Sequence, residues 1–190
     1  MEKKIKVGFA LCGSFCTFDE VIAVVKELVG KGYDVTPIMS EYAYGTDTRF
    51  GKAQEFVQQL EMICDHAVMH TIVETEPVGP KKLFDVVVIA PCTGNTLGKL
   101  SHGVNDTCVT MCAKSHLRNQ RPLVLAVSSN DALSNSARNI GALLNYKNVF
   151  FVPMRQDNPK EKPRSMVADF TRIPETLTHA LRGEQVQPIY

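Results

Sequence analysis

Four short stretches of this sequence concentrate groups suited to gripping an anion. The first is Gly13-Ser14 with Thr17, and the second is Ser40 after Met39. The third is Thr93-Gly94-Asn95-Thr96, just beyond Pro91, and the fourth is Ser128-Ser129-Asn130. Small side chains let backbone N–H groups approach a ligand closely. Hydroxyls add donors, and a helix starting at such a loop supplies partial positive charge. That combination makes a phosphate cradle without a lysine. Asn95 adds a donor and an acceptor in one side chain. Taken alone, Gly13-Ser14 matches neither the glycine triad of dinucleotide-binding turns nor the Walker lysine pattern, and a plain tight turn is an equal reading of it.

Other reactive side chains point less clearly to chemistry. Cys12/Cys16 and Cys108/Cys112 share i, i+4 spacing, but a zinc site needs four ligands and no matching His or Cys set accompanies them. They are expected to be small buried hydrophobes, and no metal site is expected. Cys92 sits inside the third loop, where a packing role is favoured over a nucleophilic one. His66, His70, His102, His116 and His179 are read as surface or structural residues, because a functional His needs a carboxylate at contact distance. No catalytic residue is assigned. Tyr42, Tyr44, Asp47 and Arg49 cluster after Ser40, as either a solvated loop or a substrate-contacting lid. Lys160, Lys162 and Arg164, diluted by Asp157 and Glu161, read as a solvated loop.

These loops need elements to hold them. Val86-Val87-Val88-Ile89-Ala90 is a β-branched run within a strand predicted over 84–90, fully buried, parallel and stopping at Pro91. Further strands are predicted over 4–11, 33–39, 68–73, 122–127 and 148–152, giving six in all. Helical spacing marks 19–31, 51–65, 106–117, 132–144 and 165–181, with another helix beginning at Leu97 and Pro174 starting or kinking the last. The stretches 40–49, 74–80 and 154–164 read as loops. Alternating strands and helices predict a single doubly wound, Rossmann-like α/β domain over 1–190, with a mainly parallel six-stranded sheet and helices on both faces. In such a sheet the four polar exits lie on one edge.

Composition narrows the function classes. The 190 residues are 44% hydrophobic and 22% charged, with a formal net charge of +1, so no nucleic-acid partner is expected from bulk charge. Met1 to Ile5 lead straight into the first strand with no signal-peptide pattern, and no apolar run approaches the ~18 residues of a membrane span. A cytoplasmic protein with no membrane contact is expected, its six cysteines free thiols.

The run from Pro91 to Asp106, Pro-Cys-Thr-Gly-Asn-Thr-Leu-Gly-Lys-Leu-Ser-His-Gly-Val-Asn-Asp, resembles the signature of the FMN-binding flavoprotein family. That family includes phosphopantothenoylcysteine and lantibiotic-peptide cysteine decarboxylases and flavin prenyltransferases. Leu11-Cys12-Gly13-Ser14 is similar to its Gly-Ser turn, and Ser40 falls where it often places a phosphate-contacting Ser or Thr. The match runs from about Ile5 to Val152. The resemblance implies an FMN site drawn from Gly13, Ser14, Thr17, Ser40, Pro91, Thr93, Gly94, Asn95, Thr96, Ser128, Ser129 and Asn130, and it implies a homo-oligomer.

Both catalytic branches of the family are departed from. The decarboxylase His stands a few residues before an aromatic-Ala-Asp triplet. Here the triplet is Leu83-Phe84-Asp85, and the nearest preceding His is His70. Ser128-Ser129-Asn130 replaces Pro-x-Met-Asn, and Ser129 stands where prenyltransferases have an arginine. The segments 46–53, 76–80, 129–133 and 151–159 resemble instead a branch formed by second subunits of two-chain enzymes of endospore-forming bacteria. That likeness implies oxidation of a dihydrodipicolinate-type dicarboxylate to dipicolinic acid in the cytoplasm of the sporulating mother cell. It also implies a partner A subunit that carries NAD(P). A non-catalytic subunit that docks or activates the A subunit is the alternative, with an FMN-dependent decarboxylase behind it.

Overall fold

The computed structural model describes residues 4–190, so the reading of Met1 to Lys3 lies outside the described residues. Among the described residues seven strands, rather than the expected six, form one sheet: β1 (Lys6–Leu11), β2 (Asp34–Met39), β3 (Val86–Cys92), β4 (Leu123–Ser129), β5 (Val149–Phe151), β6 (Met154–Arg155) and β7 (Met166–Ala168). The helices are α1 (Phe18–Gly30), α2 (Glu41–Gly45), α3 (Ala53–Cys64), α4 (Ile72–Thr75), α5 (Gly94–Ser101), α6 (Cys108–Leu117), α7 (Ala137–Leu144) and α8 (Ile173–Leu181). The central order is β2-β1-β3-β4, all parallel. β5 runs parallel beside Leu123–Leu125 of β4, whereas β7 pairs antiparallel with Ser128 and Ser129 and carries β6 on its other side.

Strand alternation divides the core in two. Val86, Val88 and Ala90 join Val7, Phe9 and Leu11 in one cluster, packed against α1, α3 and α8. Val87 and Ile89 join Leu123 and Leu125 in the other, with Leu97, Cys112 and Ile140 from α5, α6 and α7. Helices therefore cover both faces, as the uninterrupted β-branched run required. The strand order reverses between β1 and β3, and open α/β sheets bind ligands in the crevice at the carboxyl ends of such a pair.

Several elements depart from the sequence-based expectation. No strand forms over 68–73; one bridge, Ile38 to Met69, is all that remains of it. Thr71 and Glu74 make a capping box instead, which turns the chain into α4 despite its β-branched residues. The expected loop at 74–80 continues helical through Glu76–Val78, with Pro77 in the first turn, where it sacrifices no bond. Pro91 does not end its strand. β3 reaches Cys92, the register against β4 shifts between Ile89 and Cys92, and the Pro91 carbonyl accepts from Cys12 N at 3.3 Å. Part of the 40–49 loop is α2, N-capped by Ser40. α7 begins only at Ala137, because the Asp131 carbonyl draws the Ser134 and Ser136 amides into a turn. The expected 154–164 loop opens as β6, and the expected last helix splits into β7, a 3-10 turn and α8, which Pro174 starts. No helix among the described residues is long and apolar enough to cross a membrane.

Candidate functional site

The exits of β1, β3 and β4 open onto one cavity of about 670 Å³. Gly13, Ser14, Thr17, Thr93, Gly94, Asn95, Ser128, Ser129 and Asn130 all line it. Ser40 and Thr96 line an adjoining lobe of about 320 Å³ that shares Gly13, Thr93 and Asn95 with the larger space. Of the twelve residues singled out from sequence, Pro91 alone lines neither space. It is buried within β3, and its carbonyl is spent on the Cys12 amide.

Side-chain bonds hold these loops together. Ser14 Oγ and Ser128 Oγ lie 2.8 Å apart, and Thr17 Oγ1 donates to the Ser14 carbonyl at 2.9 Å. Thr93 is the N-cap of α5, with its hydroxyl accepting from Thr96 N at 3.4 Å. Thr96 Oγ1 in turn donates to Cys12 Sγ at 3.2 Å, tying α5 to the end of β1. The Gly94 and Asn95 amides sit in the first turn of α5, where a helix offers them no carbonyl. Ser40 Oγ caps α2 through Ala43 N at 3.2 Å, and its own amide donates to the Leu11 carbonyl at 2.9 Å.

The walls also carry charge that the loop motifs did not reveal. Asp131, Asp157 and Lys162 line the larger cavity, and Glu41 and Lys99 line the lobe. Glu41 Oε1 accepts from Cys108 N at 2.8 Å and so caps α6 across the lobe. Lys99 Nζ is 2.6 Å from Asp106 Oδ1, and that bond holds the Asp106 carboxyl below the usual carboxylate range. Lys162, expected in a solvated loop, reaches the cavity from the β6–β7 connection. It stays well exposed and pairs with Asp157 at 3.3 Å. Its signal was a basic run between prolines, which sequence alone does not place over a sheet edge.

The reactive side chains sort clearly. Burial pushes the Cys12 thiol up to about 11, against the lowering effect of the Thr96 bond, and pushes Cys92 well above the usual thiol range. Cys92 is fully buried and faces the α5–α7 core cluster, so it is a packing residue. Cys16 differs from its i, i+4 partner: it is exposed and lines the larger cavity. The Tyr42 cluster breaks up. Tyr42 lines the lobe, Tyr44 stacks on His70 at 3.7 Å, Asp47 accepts from Ala53 N, and the Arg49 guanidinium lies over Phe50. His66 pairs with Asp34 at 2.7 Å and His179 with Glu184 at 3.3 Å, while His116 is buried. Among the described residues no group of His, Cys, Asp or Glu could hold a metal ion.

The fold agrees with comparison to known proteins. The flavoprotein family model matches residues 1–179. The chain is 43% identical to the B subunit of dipicolinate synthase from Bacillus subtilis over 184 residues, covering 97% of this chain and 92% of that one. It superposes on the crystal structure of the dipicolinate synthase B subunit from Bacillus halodurans C with a TM-score of 0.90 and 43% identity, covering 97% and 95% of the two chains. A more distant structure, DmrB from Burkholderia xenovorans in complex with FMN, shares the fold at a TM-score of 0.70 and 17% identity, covering 96% and 98%. The likeness to the second-subunit branch, drawn from four short segments of sequence, is borne out. From its matched length, its sheet and its relatives, the chain belongs to the flavoprotein family.

Proposed function

We propose that the chain acts as the B subunit of a dipicolinate synthase. In this reading it takes part in oxidising a dihydrodipicolinate-type dicarboxylate to dipicolinic acid during sporulation, together with an A subunit that carries NAD(P). The observation that supports it most is the convergence of three strand exits on one cavity at the β1/β3 reversal, in a chain 43% identical to proteins of that name.

The walls fit FMN. The larger cavity, about 670 Å³, lies within the roughly 300–1,000 Å³ usual for small-molecule and cofactor sites. Its neighbouring lobe offers a second compartment for a forked ligand. Gly13 keeps the passage between them open, since a Cβ there would stand 3.1 Å from Tyr42 Cδ1. The Ser14, Ser40 and Thr93 hydroxyls and the Gly13 amide would hold the phosphate. Asn95, exposed at the mouth of both spaces, would orient a polar group of the ligand. Bound FMN would supply a two-electron acceptor. The chain's own share is to hold that ring, shield it on the sheet side, and present hydroxyl and amide donors to the substrate's carboxylates. The reading further includes a homo-oligomer in the mother-cell cytoplasm.

Titration with FMN, followed by visible absorbance and flavin fluorescence, tests the cofactor. Saturable binding is expected, and flavin absorbance and fluorescence that stay those of free FMN at high FMN sink the flavin reading. A second reading is favoured by Ser129, which stands where an arginine would help hold an anion, and by the wall carboxylates Asp131 and Asp157. There the chain docks or activates the A subunit without catalysis. Turnover of the A subunit with and without this chain separates the two. Full turnover by the A subunit alone removes a catalytic role, and a rise without bound flavin selects the accessory one.

A further inference from the structure

Asp131 is a wall residue with an unusual setting. It lines the larger cavity and is partly buried. Its Oδ1 accepts from both Ser129 Oγ and Ser136 Oγ, the latter at 2.9 Å. Its carbonyl accepts from Ser134 N at 2.9 Å and Ser136 N at 3.2 Å. The turn is thus built around the carboxylate, and two hydroxyls are spent on one oxygen. Among the described residues no group donates to Oδ2.

Asp131 Oδ1, the oxygen that holds both hydroxyls, also crowds the cavity wall at Gly94. A Cβ on Gly94 would lie 2.7 Å from Asp131 Oδ1 and 2.8 Å from each of Ser129 Oγ and Ser136 Oγ. The carboxylate therefore abuts the first residue of α5. The partial positive charge of that helix end is already matched by a fixed negative group of the protein itself. The local hydroxyls, which would otherwise serve an incoming phosphate, point their protons at Asp131. A pinned carboxylate with one oxygen left over repels anions and accepts strongly from N–H donors.

From this geometry we infer that Asp131 is a specificity-determining residue, accepting a ring N–H from the ligand and turning phosphate and carboxylate groups away toward Ser14 and Ser40. The inference rests on the proposed function only for which ligand brings the N–H. A flavin imide and the ring nitrogen of a reduced pyridine dicarboxylate share that chemistry.

Calorimetric titration of the full chain and of its Asp131→Asn variant tests it with three sets of probes. Inorganic phosphate reports the exclusion of anions. Piperidine-2,6-dicarboxylate against pyridine-2,6-dicarboxylate compares a ring N–H with none on the substrate side, and riboflavin against 3-methylriboflavin does so on the cofactor side. Asp131→Asn is expected to bind phosphate about tenfold more tightly, because a like charge has been removed. The wild-type chain is expected to prefer the N–H partner in at least one pair, with the preference reduced in the variant. Discrimination within the dicarboxylate pair alone identifies the substrate ring as donor, and within the flavin pair alone the cofactor. A chain that binds neither flavin yet discriminates the dicarboxylates and gains phosphate affinity keeps this inference and loses the flavin reading. Unchanged phosphate binding in a folded variant overturns the inference. So does a wild-type chain indifferent within both pairs, a result that needs no variant to fold.

Discussion

Ser14 Oγ and Ser128 Oγ stand 2.8 Å apart across 114 positions of sequence, joining the loop after β1 to the end of β4 over the end of β3. The bond clamps the two outer walls of the cavity together. Ser14→Ala and Ser128→Ala should each destabilise the chain by about 0.5–1.5 kcal/mol, the usual net worth of such a bond. In a double-mutant cycle by urea unfolding the two effects should overlap rather than add. Strict additivity would mean that the clamp does not operate in solution. Ser14→Ala should also weaken FMN binding, since that hydroxyl is one of the proposed phosphate donors.

Gly94 and Gly98 belong to the same helix and should respond oppositely to alanine. At Gly94 a Cβ would press on Asp131 Oδ1, Ser129 Oγ and Ser136 Oγ at 2.7–2.8 Å, and all three are pinned to one another. Gly94→Ala should therefore cost about 1–3 kcal/mol, the range for overfilling a packed site. At Gly98 the nearest atom is Asn139 Nδ2 at 3.6 Å, an ordinary contact. Gly98→Ala should stabilise by about 0.5–1 kcal/mol through helix propensity. Thermal melts of both variants decide this, and a shift of the same sign in both would remove the argument.

The loops around the cavity were legible because small polar residues directly followed β-branched runs. Val86 to Ala90 announced a buried strand, and everything after it had to lie on one sheet edge. In 68–73 the β-branched residues favour a strand, but the Thr71–Glu74 capping box outweighs that propensity with a local pair of hydrogen bonds. Pro91 reads as a strand stop in sequence, yet a bulge lets β3 accommodate a residue without an N–H. The charged wall residues Asp131, Glu41 and Lys162 were not legible at all. Each reaches the cavity from a separate element, and nothing in local spacing states which side chains a long-range turn brings together. Ser129 and Asp131 are only two positions apart, yet only the fold shows their shared hydrogen bond to be part of the wall.

The cysteines should differ sharply in reactivity. Burial pushes Cys12 to about 11 and Cys64 and Cys112 to about 12, and raises Cys92 and Cys108 as well. Cys16 is exposed on the cavity wall. Because the thiolate is the reacting species, a thiol reagent at pH 8 should label Cys16 rapidly and the five buried thiols only on unfolding. Cys16→Ser should abolish the fast phase, and saturating FMN should slow it in the wild-type chain. Labelling of Cys16 unaffected by a ligand shown to bind would place that ligand outside the larger cavity.

His116 should set an acid limit to stability. It is 1% exposed on α6, and its Nε2 lies 3.0 Å from the Pro122 carbonyl, the distance at which a neutral ring donates. Burial pushes its imidazole down from 6.5 to about 4; the Pro122 bond and Asp85 oppose this, and Arg121 assists it. Between those two values the unfolded chain takes up a proton that the folded chain refuses. Stability therefore falls as pH falls from about 6.5 to about 4, by about 3 kcal/mol in total, and His116 adds nothing further below or above that window. Urea unfolding measured at pH 7, 5.5 and 4.5 should show this decline, and His116→Gln should flatten it while costing some stability at pH 7. An equally steep decline in the variant would assign the acid sensitivity to other groups.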